Sequence, residues 1–441
     1  MANSSIHLSA TSLQKPVSRI ISLAKQINAE AEKVDRYLKQ QNLSYPGFGI
    51  DDPAEFPHLP TAVQNSRYEI LRATNELNKL IKGPKESLRW TAWGFYDSLS
   101  LQVVNSYGLA KLVPLEGSIS LKDLQANTTL DAVNLARIMR HAMVNYIFCE
   151  PSPGMIAHTA SSRLLLEDED FQAWVGFITE DMFPAAAHVL PALRMYPEAT
   201  SPKHCGFNFA FNTVGKESMF ATFDKDPVRA KRVARAMSTL AREEGYELSH
   251  FVDNYDLSDV NETRGILVDV GGSHGFICVG LAKRWANIKF IVQDLPKAID
   301  SAPSPICSKE SVAKRIQLQT HDFFKEQPIV GADVYYFRWI LHNYSDPHAI
   351  QILKNLVPAL KRGARVVIND HCLTPVGTEN AWDEARIRSM DLGMLAILNA
   401  HERDAEQFCE LFKAADEKFV FKGVTRTEGC RMGVFEAVWE P

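Results

Sequence analysis

The chain of 441 residues is 46% hydrophobic and 23% charged, the balance of a globular protein long enough for two or three domains. Its net charge of −5 excludes a general attraction to nucleic acid or anionic membrane, and no apolar run approaches the roughly 20 residues that span a bilayer. The seven cysteines are odd in number, form no C-x-x-C pair and follow no basic-then-apolar leader, which points to reduced thiols in a cytoplasmic protein.

The first dozen residues are polar and read as loose. Val17, Ile20, Ala24, Ile27, Ala31, Val34 and Leu38 then recur at spacings of three and four, one apolar stripe on a helix. Pro46, Pro53, Pro57 and Pro60 with Gly47 and Gly49 make 41–60 a linker. A second helix is expected from Thr61 to Ile81, stopped by Gly83-Pro84. Further on, a short helix starting at Ser120, a longer one from Leu130 to Val144 and two short strands at Ile147-Phe148 and Ile156-Ala157 follow the order of a winged helix. In isolation that order suggests DNA binding, but Arg137 and Arg140 are a thin base-reading set.

Residues 165–260 read as helical, with one start at Asp226-Pro227 and a buried face of Val228, Val233, Met237 and Leu240. From Gly265 the pattern changes to strand-length apolar runs alternating with helices: Ile266–Val270, Phe290–Gln293, Ile316–Leu318, Asp333–Phe337, Arg365–Ile368 and Val434–Trp439. This is the alternation of a doubly wound parallel α/β sheet.

Two segments carry chemistry. The strand Leu267–Val270 runs into Gly271-Gly272-Ser273-His274-Gly275; glycines there let the main chain approach a ligand that any Cβ would strike. A second strand ends in Gln293-Asp294, an acid placed to accept hydrogen bonds from ribose hydroxyls. The spacing is neither G-x-G-x-x-G nor a phosphate-binding G-K-[ST], so a nucleoside cofactor without phosphates, S-adenosylmethionine (SAM), fits best. The other segment is Tyr336–Asp346, at the carboxyl end of a strand, where open α/β sheets place their ligands. It contains His342, the residue type that takes protons near neutral pH. Asp370 ends the next strand, and Glu402 follows in Asn399–Arg403; carboxylates on the ring would fix its tautomer. The histidine spacings fit no metal motif, and His371-Cys372 is too isolated to build a metal site.

At these residues the chain resembles the caffeic-acid O-methyltransferase-like family of small-molecule O-methyltransferases, in particular its fungal secondary-metabolism branch. The likeness spans about residues 85–441 and is strongest in Leu267–Gly275, Gln293–Pro296, Phe337–Asp346, Val366–Leu373 and Met390–Phe412. The resemblance implies that Gly271 and Gly272 cradle the methionine part of SAM, Asp294 holds the ribose, and Asp322 and Phe323 flank the adenine. Arg338 stands where plant members commonly have Lys. His342 is implied as general base, oriented by Asp370 and Glu402, for methylation of an aromatic hydroxyl. It further implies a winged-helix homodimerisation domain (85–165), a helical linker with helices of the acceptor pocket (166–225) and a SAM-binding catalytic domain (226–441), preceded by the helical extension (1–84) that the apolar periodicity predicts. Two other readings are a member that keeps SAM as an electrostatic cofactor for pericyclic or dehydrative chemistry and a winged-helix DNA-binding regulator. Trp174, Phe183, Phe207, Phe211, Met219 and Phe220 read equally as pocket lining or core.

Overall fold

The computed structural model describes residues 18–441; Val17 and the polar first dozen residues lie outside them. The chain forms two compact units. One takes the described part of Met1–Pro46 with Glu55–Gly94 and Asn380–Trp382; the other takes Gly47–Ala54, Phe95–Glu379 and Asp383–Pro441.

In the smaller unit, helix α1 (Arg19–Gln40) packs on α2 (Thr61–Trp93). The Ser18 hydroxyl accepts from the Ile21 N–H and caps α1. Leu23, Val34 and Leu38 are buried, the last two with Leu59 against Phe56, Val63 and Ile70. The expected stripe is therefore met at Val34 and Leu38, whereas Ile20, Ala24 and Ala31 face out. The helix turns the face of Leu23 to its partner instead. Gly83, at φ 73° and ψ 167°, breaks α2 where expected. The helix nevertheless resumes at Pro84, because proline's missing N–H is no loss in a first turn.

In the larger unit, strands β1 (Ile119–Ser120), β2 (Phe148–Cys149) and β3 (Met155–His158) form a small sheet in the order β1-β3-β2. Helices α3 (Leu121–Ala126) and α4 (Ala132–Val144) pack on it through Leu124, Leu135, Met139 and Ala142. Ser120 and Asp131 cap them. This is the winged-helix order; β1 has two residues, too few to show alternation in sequence. Asp226 caps the helix Pro227–Leu240 as expected, but Val228 and Met237 are exposed and Ala236 is the buried position. Arg229 and Arg232 turn that helix, since both pair with the buried Asp181.

The large sheet contains β4 (Ile266–Val270), β5 (Lys289–Asp294), β6 (Ile316–Thr320), β7 (Val334–Arg338), β8 (Arg365–His371), β9 (Phe419–Thr425) and β10 (Met432–Trp439), in the order β6-β5-β4-β7-β8-β10-β9. The first five strands in chain order are parallel, as expected. The last two correct the expectation of a wholly parallel sheet. Helices lead from β8 to the edge strand β9, and the hairpin from β9 then turns β10 back antiparallel between β9 and β8. Along β4, Leu267 joins the apolar layer on one face with helix α5 (Phe276–Arg284), and Val268 joins the opposite layer with α6 (Asp346–Leu356) and α7 (Ala405–Ala415). Among the described residues no helix is long and apolar enough to cross a membrane.

Candidate active site

The carboxyl ends of β4 and β5 are tied together by the Gly271 and Gly272 N–H groups, which donate to the Gln293 carbonyl at 2.8 and 3.1 Å. Gly271 has φ +76°, and a Cβ there would come within 2.5 Å of Ile340 Cδ1. A Cβ on Gly272 would come within 2.4 Å of the Asp269 carboxylate. The positive φ of Gly271 and these close approaches to Ile340 and Asp269 favour glycine at both positions, so the turn packs tightly on its neighbours. Burial pushes the Asp269 carboxyl up to about 7, partly offset by the Cys278 thiol that donates to it.

Asp294 ends β5. Its Oδ2 accepts the Ser273 N–H at 2.8 Å and its Oδ1 accepts the Leu295 N–H at 2.7 Å, so the carboxylate is locked beside the glycine turn. Phe323 reaches the same turn: its ring edge lies 3.6 Å from the place of a Gly271 Cβ, and it packs edge-on to Tyr344. Asp322 accepts the Phe324 N–H at 3.0 Å and so shapes the loop that presents Phe323. The Arg338 guanidinium is turned toward the sheet, donating to Asn369 Oδ1 and, at 2.7 Å, to the Tyr246 carbonyl. A carboxylate fixed beside the turn can accept from ribose hydroxyls and would repel a phosphate, so the site fits an uncharged ribose better.

Asp294→Ala is expected to weaken SAM binding at least about tenfold, since hydrogen bonds to a charged acceptor are worth roughly 1.5–3 kcal/mol each. Calorimetry showing unchanged affinity would remove Asp294 from the site.

On the neighbouring strand, β7 ends at Arg338 and Trp339 takes φ +52°, which swings the chain into the short 3-10 turn Leu341–Asn343. His342 on that turn is buried. Its Nδ1 lies 2.9 Å from Glu402 Oε1, and its main-chain N–H donates to Asp370 Oδ2 at 3.1 Å. The three residues thus converge, but Asp370 grips the backbone of His342 and not its ring. Burial opposes charge on His342, yet the Glu402 charge and hydrogen bond, with Asp370 behind them, outweigh it and hold the imidazole above its ordinary value. For Glu402, burial is overcome by His342 and His371, and the carboxyl stays ionised well below the usual range. Burial raises the Asp370 carboxyl.

Three further residues complete the arrangement. His371 Nδ1 also meets Glu402 Oε1, at 3.1 Å, and its Nε2 lies 3.0 Å from the Tyr246 hydroxyl. Arg403, fully buried, donates to the Leu341 and Tyr344 carbonyls and to Asp346, stapling the segment that carries His342. No motif in the sequence singles out Tyr246 or Arg403; His371, at the carboxyl end of β8, sits where a ligand-facing residue is expected. Of the aromatic and Met side chains named as pocket or core, Phe207 and Met219 go to core with Phe177 and Phe223, and Phe220 is exposed.

Residues 200–416 match the O-methyltransferase domain family. The chain is 57% identical to a chlorophenol O-methyltransferase of Trichoderma longibrachiatum, over 96% of this chain and 91% of that one. It is 34% identical to the O-methyltransferase gsfB of Penicillium aethiopicum, over 96% and 99%. The chain belongs to the O-methyltransferase family. A solved structure of OxaC with SAH and oxaline superposes on the methyltransferase with a TM-score of 0.75 at 25% identity, over 96% of this chain and 100% of that one. That likeness, with the glycine cradle, makes SAM the methyl donor of this methyltransferase. Neither the DNA-binding nor the pericyclic reading is favoured by these relatives.

Proposed function

We propose that the methyltransferase acts on the hydroxyl of a small phenol, with His342 as general base. The observation that carries this is the His342 ring. Its Nδ1 is committed to an ionised carboxylate, which can only accept, so Nδ1 bears the hydrogen and Nε2 keeps its lone pair for the acceptor. SAM supplies a methyl group already activated by its sulfonium sulfur. Gly271, Gly272, Asp294, Asp322, Phe323 and Arg338 are assigned to holding it, the last through the sheet end it braces. His342 Nε2 takes the hydroxyl proton as the O–C bond forms and the C–S bond breaks. Glu402 then faces the imidazolium, and Asp370 keeps the turn from shifting. Asp370 Oδ1 and Glu402 Oε2 are buried without a hydrogen-bond partner among the described residues, which supports this as the place where an acceptor's polar groups are met. Alignment supplies several kcal/mol of the barrier, and the base a further ~10²–10⁴-fold. The chlorophenol relative supports a phenol as the acceptor class.

Incubation with SAM and a panel of phenols that includes monochlorophenols is expected to yield methyl ethers and S-adenosylhomocysteine in equal amounts. An enzyme that binds SAM but methylates none of them would sink this assignment.

The domain plan belongs to the same proposal: extension (1–84), winged helix for homodimerisation (85–165), pocket helices (166–225) and catalytic domain (226–441). Leu80, Ile81, Leu88, Trp90 and Trp93 on α2 are all exposed, an apolar run that a second copy would cover. Light scattering is expected to give twice the mass of one chain; one chain's mass at micromolar concentration would refute the dimer. The seven free thiols support a reducing, cytoplasmic setting.

A further inference from the structure

Glu402 Oε1 is shared. Both His342 Nδ1 and His371 Nδ1 lie within 3.1 Å of it, and an ionised carboxylate only accepts, so each imidazole carries its hydrogen on Nδ1. On the far side of His371, Nε2 faces the Tyr246 hydroxyl. Burial pushes that phenol up to about 12, and His371 is the one partner of its oxygen among the described hydrogen bonds. The phenol therefore donates, and His371 accepts at Nε2. The four groups form one directed chain: Tyr246 O–H to His371, His371 N–H to Glu402, and His342 N–H to the same oxygen. All four residues are buried.

We propose that His371 and Tyr246 are positioning residues for the base: their N–H and O–H chain occupies the carboxylate oxygen that His342 also uses, and so limits how tightly that carboxylate holds a proton on His342. The proposal rests on the methyl-transfer reading above. An undivided carboxylate would bind the imidazolium more strongly and keep the base protonated at higher pH. Two N–H donors on one oxygen share its charge. The other charged groups around His342 are Asp370, at its main chain, and Arg403, at its turn. Around Tyr246 are Arg386, Arg431, Glu243 and Asp383, and Arg338 holds its carbonyl. None of these reaches the shared oxygen by a described hydrogen bond, so His371 is the group that divides it.

Three variants test this: H371L, which removes the second donor, H371N, whose amide places an N–H near the lost Nδ1, and Y246F. Two readouts are used. One is the pH profile of kcat/KM with a phenol whose own ionisation lies above the range. The other is the titration of the His342 ring followed by nitrogen-15 NMR in the full chain, assigned by comparison with H342Q. H371L is expected to move the rising limb and the His342 titration up together by about one pH unit, a roughly fivefold loss at the wild-type midpoint that is regained at higher pH. H371N should bring the midpoint back to within about half a unit. Y246F should shift it the same way by less, and decides the matter if H371L does not fold. A loss that is equal at every pH with an unmoved His342 titration, or an H371N that behaves like H371L, overturns the proposal. Absence of turnover in the wild type would instead overturn the methyl-transfer reading, while the NMR titration, which needs no turnover, still decides this one.

Discussion

His342→Gln is expected to lower kcat by about 10²–10⁴-fold, the range a general base supplies, and to leave SAM affinity within a few-fold. The main-chain clasp from Asp370 is kept in this variant, because it is made to the His342 N–H and not to the ring. What is lost is the lone pair on Nε2. The wild type should show a rising acid limb, since only the neutral imidazole can take a proton. The imidazole is held above its ordinary value, so that limb lies above the pH of a free histidine, with activity low beneath it and gained as pH increases. The variant should lack the limb. The deficit should also shrink as the acceptor becomes more acidic, because a phenol that arrives as phenolate has no proton to give. Turnover above a tenth of wild type with a weakly acidic phenol would show that His342 is not the base.

Arg403→Met gives the largest expected loss of stability. The guanidinium is fully buried and donates to Leu341 and Tyr344 carbonyls at 3.0 and 2.7 Å, with Asp346 beyond at 2.8 Å. Methionine fills the volume but donates nothing. Asp346 is half-exposed, so the ion pair itself adds little. Hydrogen bonds from a charged donor to buried carbonyls are worth roughly 1.5–3 kcal/mol each, giving a loss of ~3–6 kcal/mol for the two against a typical total of about 5–15. Arg403→Lys should not recover it, since a single ammonium cannot span two carbonyls and a carboxylate. A denaturant midpoint equal to wild type for Arg403→Met would refute the staple.

The parts legible in sequence were those written as contiguous motifs at strand ends. The glycine turn, Asp294 and the His342 segment each follow an apolar run and announce themselves by residue type. Asp370 reads by the same logic and Glu402, on no strand, through the family resemblance, but sequence does not say which atom of His342 each meets. His371 was hidden for a geometric reason. It stands at a strand end where ligand-facing residues are expected, but adjacent strand residues point to opposite faces, so sequence assigns only one of Asp370 and His371 to the site. In fact the network wraps around the end of β8, with Asp370 at the His342 backbone and His371 at Glu402. Tyr246 and Arg403 act through contacts between distant segments that no periodicity records. β9 escaped because it is an edge strand, with burial that does not alternate cleanly along Phe419–Thr425.

The hydrogen-bonded chain from Tyr246 through His371 and Glu402 to His342 also bears on how the enzyme comes into being. Its members enter from four separate stretches of the polypeptide, and the last of them, Glu402, lies near the carboxyl end. Pairing of β7 with β8 brings His342 near Asp370 and His371, but the shared carboxylate arrives only when the segment before α7 docks. Closing such long loops is the slow part of assembling a fold of this kind. The network assigned to the base is therefore complete only when all four stretches have docked, so a fault in any one of them would be felt at His342.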